Sequence, residues 1–112
     1  MKLGEFIFAT RRTWQPACAD LLTDRTADIA HAAMGLAGEA GEVLDLIKKQ
    51  VFTPIRLEQK GVDFYDTFEE EMGDVIYYWA RLCDIIGLDP EEVMAATMAK
   101  LDKRWKQKEE AA

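Results

Sequence analysis

Residues 26–52 read TADIAHAAMGLAGEAGEVLDLIKKQVF, and this stretch decides the fold. No proline interrupts it, and its apolar residues recur at helical spacing, which predicts one long helix. The apolar set is broad enough to face more than one neighbouring element. It comprises Ile29, Met34, Leu36, Val43, Leu44, Leu46, Ile47 and Val51. Pro54 marks the predicted end of this helix, because proline lacks the backbone donor that would continue it.

Three further helices are predicted at about 3–15, 67–86 and 90–108. The first stops before Pro16, since a residue that precedes proline disfavours helix. Gly87 is the expected C-terminal stop of the third helix, and Asp89 is the expected N-cap of the fourth. Residues 17–25 and 53–65 are predicted as connections, and residues 66–69, Asp-Thr-Phe-Glu, resemble a capping box. No strand pattern competes, so the sequence predicts an all-α fold.

Composition limits the classes of protein to consider. The chain has 112 residues, which we interpret as one domain, 1–112, small enough to favour self-association. A net charge of −7 argues against direct binding to nucleic acid, which requires a basic face. There is no membrane-length apolar run or signal peptide, so we expect no membrane partner and a cytoplasmic protein. The two cysteines, Cys18 and Cys83, lack the spacing of a thiolate metal site.

Two acidic motifs are the strongest candidates for chemistry. Glu39 and Glu42 on the second helix, and Glu71 and Asp74 on the third, are each separated by three residues. This spacing places both carboxylates of a pair on one helix face, so two packed helices can bring four carboxylates together. Such a cluster needs a counter-charge, and a hard divalent cation such as Mg²⁺ prefers oxygen ligands.

Glutamates three residues apart are also common on solvated helix faces, so the surroundings must distinguish the two cases. The stretch 32–41 contains only one charged residue, whereas a solvated face normally mixes acids and bases. Gly35, Gly38 and Gly41 each cost the helix roughly 1 kcal/mol relative to alanine. Close approach of a neighbouring backbone or a ligand would explain them, and Gly73 repeats the arrangement beside Asp74. These features favour a metal site.

Three segments together resemble the MazG-like all-α nucleoside triphosphate pyrophosphohydrolases. They are residues 35–49, residues 71–78 and residues 100–105, which read GLAGEAGEVLDLIKK, EMGDVIYY and KLDKRW. The resemblance implies a four-helix bundle-like MazG fold that assembles as a dimer or tetramer. It also implies hydrolysis of a (deoxy)nucleoside triphosphate to the monophosphate and pyrophosphate, for nucleotide-pool control or house-cleaning, with Mg²⁺ or Mn²⁺ as cofactor.

By position, the resemblance makes Glu39, Glu42, Glu71 and Asp74 the metal ligands and catalytic residues. Metal ions that bridge carboxylates and phosphates neutralise charge and lower the pKa of bound water, which is otherwise a poor nucleophile. Many relatives carry a further acid, proposed as the water-activating base, where this chain has Gly38. Another carboxylate or a hydroxide at the metal could serve instead.

Five residues are predicted to bind the substrate. Lys49 lies two turns beyond Glu42, within about 20° of the same helical line. Lys100 and Arg104, four residues apart on the last helix, face one direction, and these three cations could otherwise be ordinary surface charges. Tyr78 could stack on the nucleobase, with Trp14 as the other wall, although both could be packing aromatics. His31 is expected to be structural or at the edge of a pocket.

Two alternatives stay open at this stage. One is phosphoribosyl-ATP pyrophosphohydrolase activity, which uses a related helical architecture. The other is a non-catalytic helical module for nucleotide binding or oligomerisation. Gly38 and Thr97 support this second alternative, because relatives often have an acid and an asparagine at these positions.

Overall fold

The computed structural model describes residues 1–15 and 25–112, which form five helices and no strand. They are α1 (Leu3–Thr13), α2 (Arg25–Phe52), α3 (Pro54–Gln59), α4 (Phe64–Ile86) and α5 (Pro90–Ala111). This confirms the predicted all-α fold and its four long helices. The connection predicted at 17–25 falls outside the described residues except for Arg25, which begins α2. Within the described ranges, no helix is long and apolar enough to cross a membrane.

The antiparallel pair of α2 and α4 is the framework of the molecule and makes its most extensive helix contact. Small residues allow the two axes to approach, since Ala32 of α2 and Ala80 of α4 are completely buried. Gly35 of α2 lies directly beneath the ring of Tyr78 of α4. The helices are antiparallel, so a later position in α2 meets an earlier position in α4: Gly35 lies against Tyr78, whereas Glu39 lies near Asp74 and Glu71.

Helix α1 packs against the C-terminal half of α4, and ion pairs with Asp84 hold the two helices together. Arg11 donates two hydrogen bonds to the carboxylate of Asp84, at 2.9 and 2.7 Å. Arg81, whose side chain is only 8% exposed, donates a third at 2.7 Å. These bonds, chiefly the one from Arg11, hold the pKa of Asp84 below its usual value. The guanidinium of Arg25 donates to the carbonyl of Ile85 at 2.6 and 2.9 Å, which ties the start of α2 to the same region.

The segment 53–65 corrects the sequence-based prediction. It contains α3, because Pro54 begins a new helix at its first turn as well as ending α2, and Leu57 anchors this helix in the core. Helix α4 begins three residues earlier than predicted, at Phe64. Its N-cap is Asp63, which accepts a hydrogen bond from the amide of Asp66 at 3.0 Å. The predicted capping box at 66–69 is therefore wrong, since those residues lie inside the helix.

The ends of the last two helices agree with the prediction. Gly87 closes α4 with φ of 89°, a conformation that glycine adopts without steric cost. Asp89 caps α5 by accepting a hydrogen bond from the amide of Glu91 at 2.9 Å.

Helix α5 projects from the rest of the chain. Its contact with α4 is small, and none of its residues is buried. Its apolar stripe is correspondingly open: Met94, Met98, Leu101 and Trp105 are 44–63% exposed. The radius of gyration is 18.1 Å, compared with about 13 Å for a compact domain of this length.

Candidate metal and nucleotide site

Three carboxylates meet where α2 and α4 cross. Glu39 of α2 and Glu71 and Asp74 of α4 each offer an oxygen, and these three atoms lie within 4.8 Å of one another. We call these three residues the acid cluster. Glu71 and Asp74 are one turn apart on α4, so both can face the same point of α2.

Electrostatic repulsion in the acid cluster is not relieved by a neighbouring cation. Partial burial, followed by the charge of Asp74, raises the pKa of both Glu39 and Glu71. In the described part of the chain, no lysine, arginine or histidine nitrogen lies within 4 Å of any of the three carboxylates. Hard carboxylate oxygens in this arrangement suit Mg²⁺ or Mn²⁺, which would supply the missing positive charge.

Glu42, the fourth predicted ligand, lies at the edge of the acid cluster. It is not among the acids whose oxygens converge, because the rotation of α2 about its own axis turns Glu39, and not Glu42, toward α4. Its side chain is exposed, yet its negative charge helps to raise the pKa of both Glu39 and Glu71. The structure therefore brings together three of the four predicted acids, with the fourth adjacent.

Two connected pockets extend from the acid cluster toward α3. The first, which we call the mixed pocket, has a volume of about 250 Å³ and includes Glu42 and Glu71 with Lys49, Lys60 and Thr67. The second, which we call the basic pocket, has a volume of about 240 Å³. It includes Lys48, Lys49, Arg56 and Lys60, together with Phe52. Lys49 and Lys60 line both pockets, which therefore adjoin; we call the two pockets together the groove, with acidic side chains in one part and basic side chains in the other.

Lys49 is placed beside the acids, as the helical spacing predicts. It lines the mixed pocket and forms an ion pair with Asp45 at 2.6 Å. This hydrogen bond raises the pKa of Lys49 and lowers that of Asp45. Both side chains are about half exposed, at 50% and 45%, so the pair contributes little to stability and can rearrange around a ligand.

The aromatic residues Trp14, His31 and Tyr78 form a group on the opposite side of the acid cluster from α3. Trp14 lies against His31 with ring centroids 4.4 Å apart, and its ring meets that of Tyr78 edge to face at 78°. Because the two larger rings are nearly perpendicular, they do not form the two parallel walls of a stacking slot. Arg81 also contacts Trp14, with its guanidinium carbon 5.2 Å from the ring centroid. This group packs α1 against α2 and α4.

The glycines of α2 have different surroundings. A Cβ atom on Gly35 would overlap the ring of Tyr78, so a close neighbour explains this glycine, but the neighbour is a side chain and not the predicted backbone or ligand. No described atom lies within 4 Å of the corresponding position at Gly38, Gly41 or Gly73. No described backbone of the same chain therefore approaches these three residues, and approach of a ligand to them stays a prediction.

Lys100 and Arg104 lie on α5, and both are exposed. The described residues that line the mixed and basic pockets belong to α2, α3, α4 and the turns between them, and not to α5. A single chain does not bring these two cations to the acid cluster.

Comparison with known proteins identifies the family. The model of the MazG nucleotide pyrophosphohydrolase domain matches residues 29–108, which include the acid cluster, both pockets and most of α5. The chain belongs to the MazG family. It is also 31% identical over 84 residues to the Gene 37 protein of Mycobacterium phage L5, an alignment that covers 72% of this chain and 69% of that relative. No solved structure gives a significant match.

Family membership confirms the predicted family and its all-α fold, and it supports nucleotide pyrophosphohydrolase activity in general. The structure adds two cations that sequence reasoning missed. Arg56 and Lys60 were assigned to a connection, but α3 places both in the groove beside Lys49. The sequence signal for α3 was Thr53 followed by Pro54, a pattern typical of the start of a helix, with apolar Ile55 and Leu57 after it.

Proposed function

We propose that this chain, as a single domain of residues 1–112, hydrolyses a (deoxy)nucleoside triphosphate to the monophosphate and pyrophosphate with Mg²⁺ or Mn²⁺. The observation that carries the proposal is the acid cluster. Glu39, Glu71 and Asp74 converge at the contact of two packed helices, with no cationic side chain of residues 1–15 or 25–112 within 4 Å of them, in a chain of the MazG family. Convergent carboxylates of this kind are costly in the free protein, and a bound divalent cation removes the cost.

In this proposal, the four acids hold the cation and orient the phosphates. Glu39, Glu71 and Asp74 provide the inner oxygens, and Glu42 completes the set from the exposed side. The cation would neutralise phosphate charge and activate water for attack. Because position 38 is glycine, the proton of the attacking water would pass to one of the four carboxylates, or the water would react as a hydroxide held by the cation. The Glu42→Gln variant tests this, since it would lower kcat more than it lowers metal affinity if Glu42 is the acceptor.

The predicted substrate contacts divide between the two sides of the acid cluster. Lys49 approaches the phosphates through the mixed pocket, which it shares with Glu42 and Glu71. The aromatic side offers Trp14 and Tyr78, and we propose that the base contacts an edge of this group, because the perpendicular rings leave no slot between them.

We propose that Lys100 and Arg104 reach the site of another copy, within a homodimer or homotetramer. The accessible surface of the chain is 8687 Å², whereas a compact monomer of 12.7 kDa exposes about 6,200 Å². This difference in accessible surface is larger than the roughly 800 Å² that each partner buries in an ordinary stable interface. Helix α5 carries exposed apolar side chains, Met94, Met98, Leu101 and Trp105, on the same helix as the two cations. We further propose a cytoplasmic enzyme that acts on free nucleotides, without direct contact to nucleic acid or membrane.

A pyrophosphate-release screen tests the proposed activity. Canonical and modified triphosphates are supplied with Mg²⁺ or Mn²⁺, and we expect pyrophosphate and never single phosphate. Asp74→Asn is expected to abolish turnover, while Glu69→Gln, an exposed acid on the same helix, retains it. Activity on phosphoribosyl-ATP alone would favour that narrower enzyme. Nucleotide binding without turnover of any substrate would favour the non-catalytic module.

A further inference from the structure

The basic pocket is an exception to the charge of this protein. The chain as a whole carries a net charge of −7, yet the pocket is lined by Lys48, Lys49, Arg56 and Lys60 against one acid, Asp45. Asp45 is already occupied by its ion pair with Lys49. The pocket therefore keeps an excess of positive charge in an acidic protein, which favours an anionic ligand.

The remaining cations have no acidic partner in the described structure. No carboxylate oxygen there lies within 4 Å of the charged nitrogens of Lys48, Arg56 or Lys60. Lys48 lies near the end of α2, while Arg56 and Lys60 lie near the end of α3, where cations also complement the helix dipole. A dipole role predicts an effect on stability alone, whereas a ligand role predicts an effect on anion binding.

The pocket is continuous with the acid cluster, which indicates what kind of anion it receives. Lys60 lines the basic pocket and also the mixed pocket, which Glu42 and Glu71 line as well. The basic pocket has a volume of about 240 Å³, room for about eight waters. An anion bound there would lie next to a cation held by the acid cluster.

The order of groups along α2 gives the groove a direction. The aromatic group lies near His31 and Gly35, the acid cluster at Glu39, and the basic pocket at and beyond Lys48. A nucleoside triphosphate has the same sequence of properties: an aromatic base, a metal-binding phosphate and a strongly anionic end. The basic pocket matches the anionic end.

We propose that Arg56 of α3 and Lys60, the residue that follows α3, bind the β- and γ-phosphates of the substrate and then the pyrophosphate product. This inference rests on the proposed function. Water attacks the α-phosphorus, and the bond between that atom and the bridging oxygen breaks. The electron pair of this bond leaves with the bridging oxygen on pyrophosphate, the oxygen of water stays on the monophosphate, and one proton is released. The pyrophosphate product carries more negative charge than the same group in the substrate, so nearby cations stabilise its release from the α-phosphate.

Calorimetric binding of inorganic pyrophosphate to the full chain, in the presence of Mg²⁺, tests the assignment without requiring turnover. Lys60→Ala and Arg56→Ala are each expected to weaken pyrophosphate binding about tenfold, the usual effect of losing one charged hydrogen bond. Lys60→Arg keeps the charge and should retain most of the affinity. Lys103→Ala, a matched exposed lysine on α5, should leave the affinity unchanged. Thermal melting of each variant verifies folding.

The outcomes separate this inference from the proposed function. If both alanine variants bind pyrophosphate as wild type does, the inference is wrong, even if wild type releases pyrophosphate from triphosphates. A changed melting temperature with unchanged affinity would likewise overturn it in favour of the dipole role. If the wild-type protein hydrolyses no triphosphate but the alanine variants bind pyrophosphate more weakly than it does, the pocket assignment stands and the proposed function fails.

Discussion

Replacing Gly35 with alanine is expected to destabilise the protein, although alanine is the better helix former. A Cβ atom at this position would overlap the ring of Tyr78, with three ring atoms too close for any real contact. The ring cannot easily retreat, because it also packs against Trp14 and His31. Helix α2 must therefore move away from α4, or the Tyr78 side chain must leave its preferred rotamer.

The expected magnitude follows from two opposing effects. Overpacking a well-filled contact costs about 1–3 kcal/mol. Exchanging glycine for alanine inside a helix returns roughly 1 kcal/mol. Because the obstacle is a rigid ring held by neighbours, we expect a net loss of about 1–2 kcal/mol in the free energy of unfolding.

Gly38 and Gly41 provide matched controls on the same helix. No described atom lies within 4 Å of a Cβ added at either position. Gly38→Ala and Gly41→Ala should therefore stabilise the chain, each by up to about 1 kcal/mol. Urea unfolding followed by circular dichroism measures all three variants, without metal or nucleotide and at one fixed protein concentration, since self-association would shift the midpoints.

The sign of the effect decides the outcome. If Gly35→Ala is as stable as the two controls, the Tyr78 contact does not limit the approach of α2 and α4, and the packing described above is refuted. If Gly38→Ala or Gly41→Ala also destabilises the protein, a second copy covers that part of α2.

Three further predictions concern the ion pairs with Asp84, the acid cluster and α5. Asp84→Ala should lower the free energy of unfolding by about 2 kcal/mol, because it leaves the nearly buried Arg81 without its partner. The loss is smaller than for a fully buried pair, since both side chains keep some exposure. The folded state depresses the pKa of Asp84, so the stabilisation by its carboxylate is complete above about pH 4 and is lost as the pH falls through the depressed value. The free energy of unfolding of the variant should therefore lack this decrease at low pH. Glu71→Gln should raise the melting temperature of the metal-free protein by relieving repulsion, and it should remove the additional stabilisation by Mg²⁺; a variant that keeps a wild-type Mg²⁺ response contradicts the metal site. Leu101→Glu should lower the mass measured by light scattering, and an unchanged mass would show that the stripe on α5 is not an interface between copies.

The long helices could be predicted because their ends carry local signals. Gly87 and Asp89 act through their own backbone and side chain within one turn, so sequence alone identifies them. Helix α3 was missed because six residues are too few to show a periodic pattern. The start of α4 was misplaced because Asp63 and Asp66 are both acceptable caps, and only the structure shows which one accepts the hydrogen bond.

The acid cluster was predictable only in part. Spacing on each helix placed Glu71 near Asp74, but the rotation of α2 relative to α4 decides that Glu39 faces them while Glu42 lies at the edge. The mixed pocket depends on α2, α3 and α4 at once, so the nearness of Lys60 to Glu71 could not be derived from spacing along the chain.

The projection of α5 has a consequence for how activity depends on concentration. Among the described residues, Lys100 and Arg104 line neither the mixed nor the basic pocket, so in the proposed assembly each site receives these two cations from a neighbouring copy. Dilution would then switch the enzyme off before any helix unfolds. Two inactive variants, Asp74→Asn and Lys100→Ala, would also restore activity when mixed, because one mixed pairing combines an intact acid cluster with an intact α5.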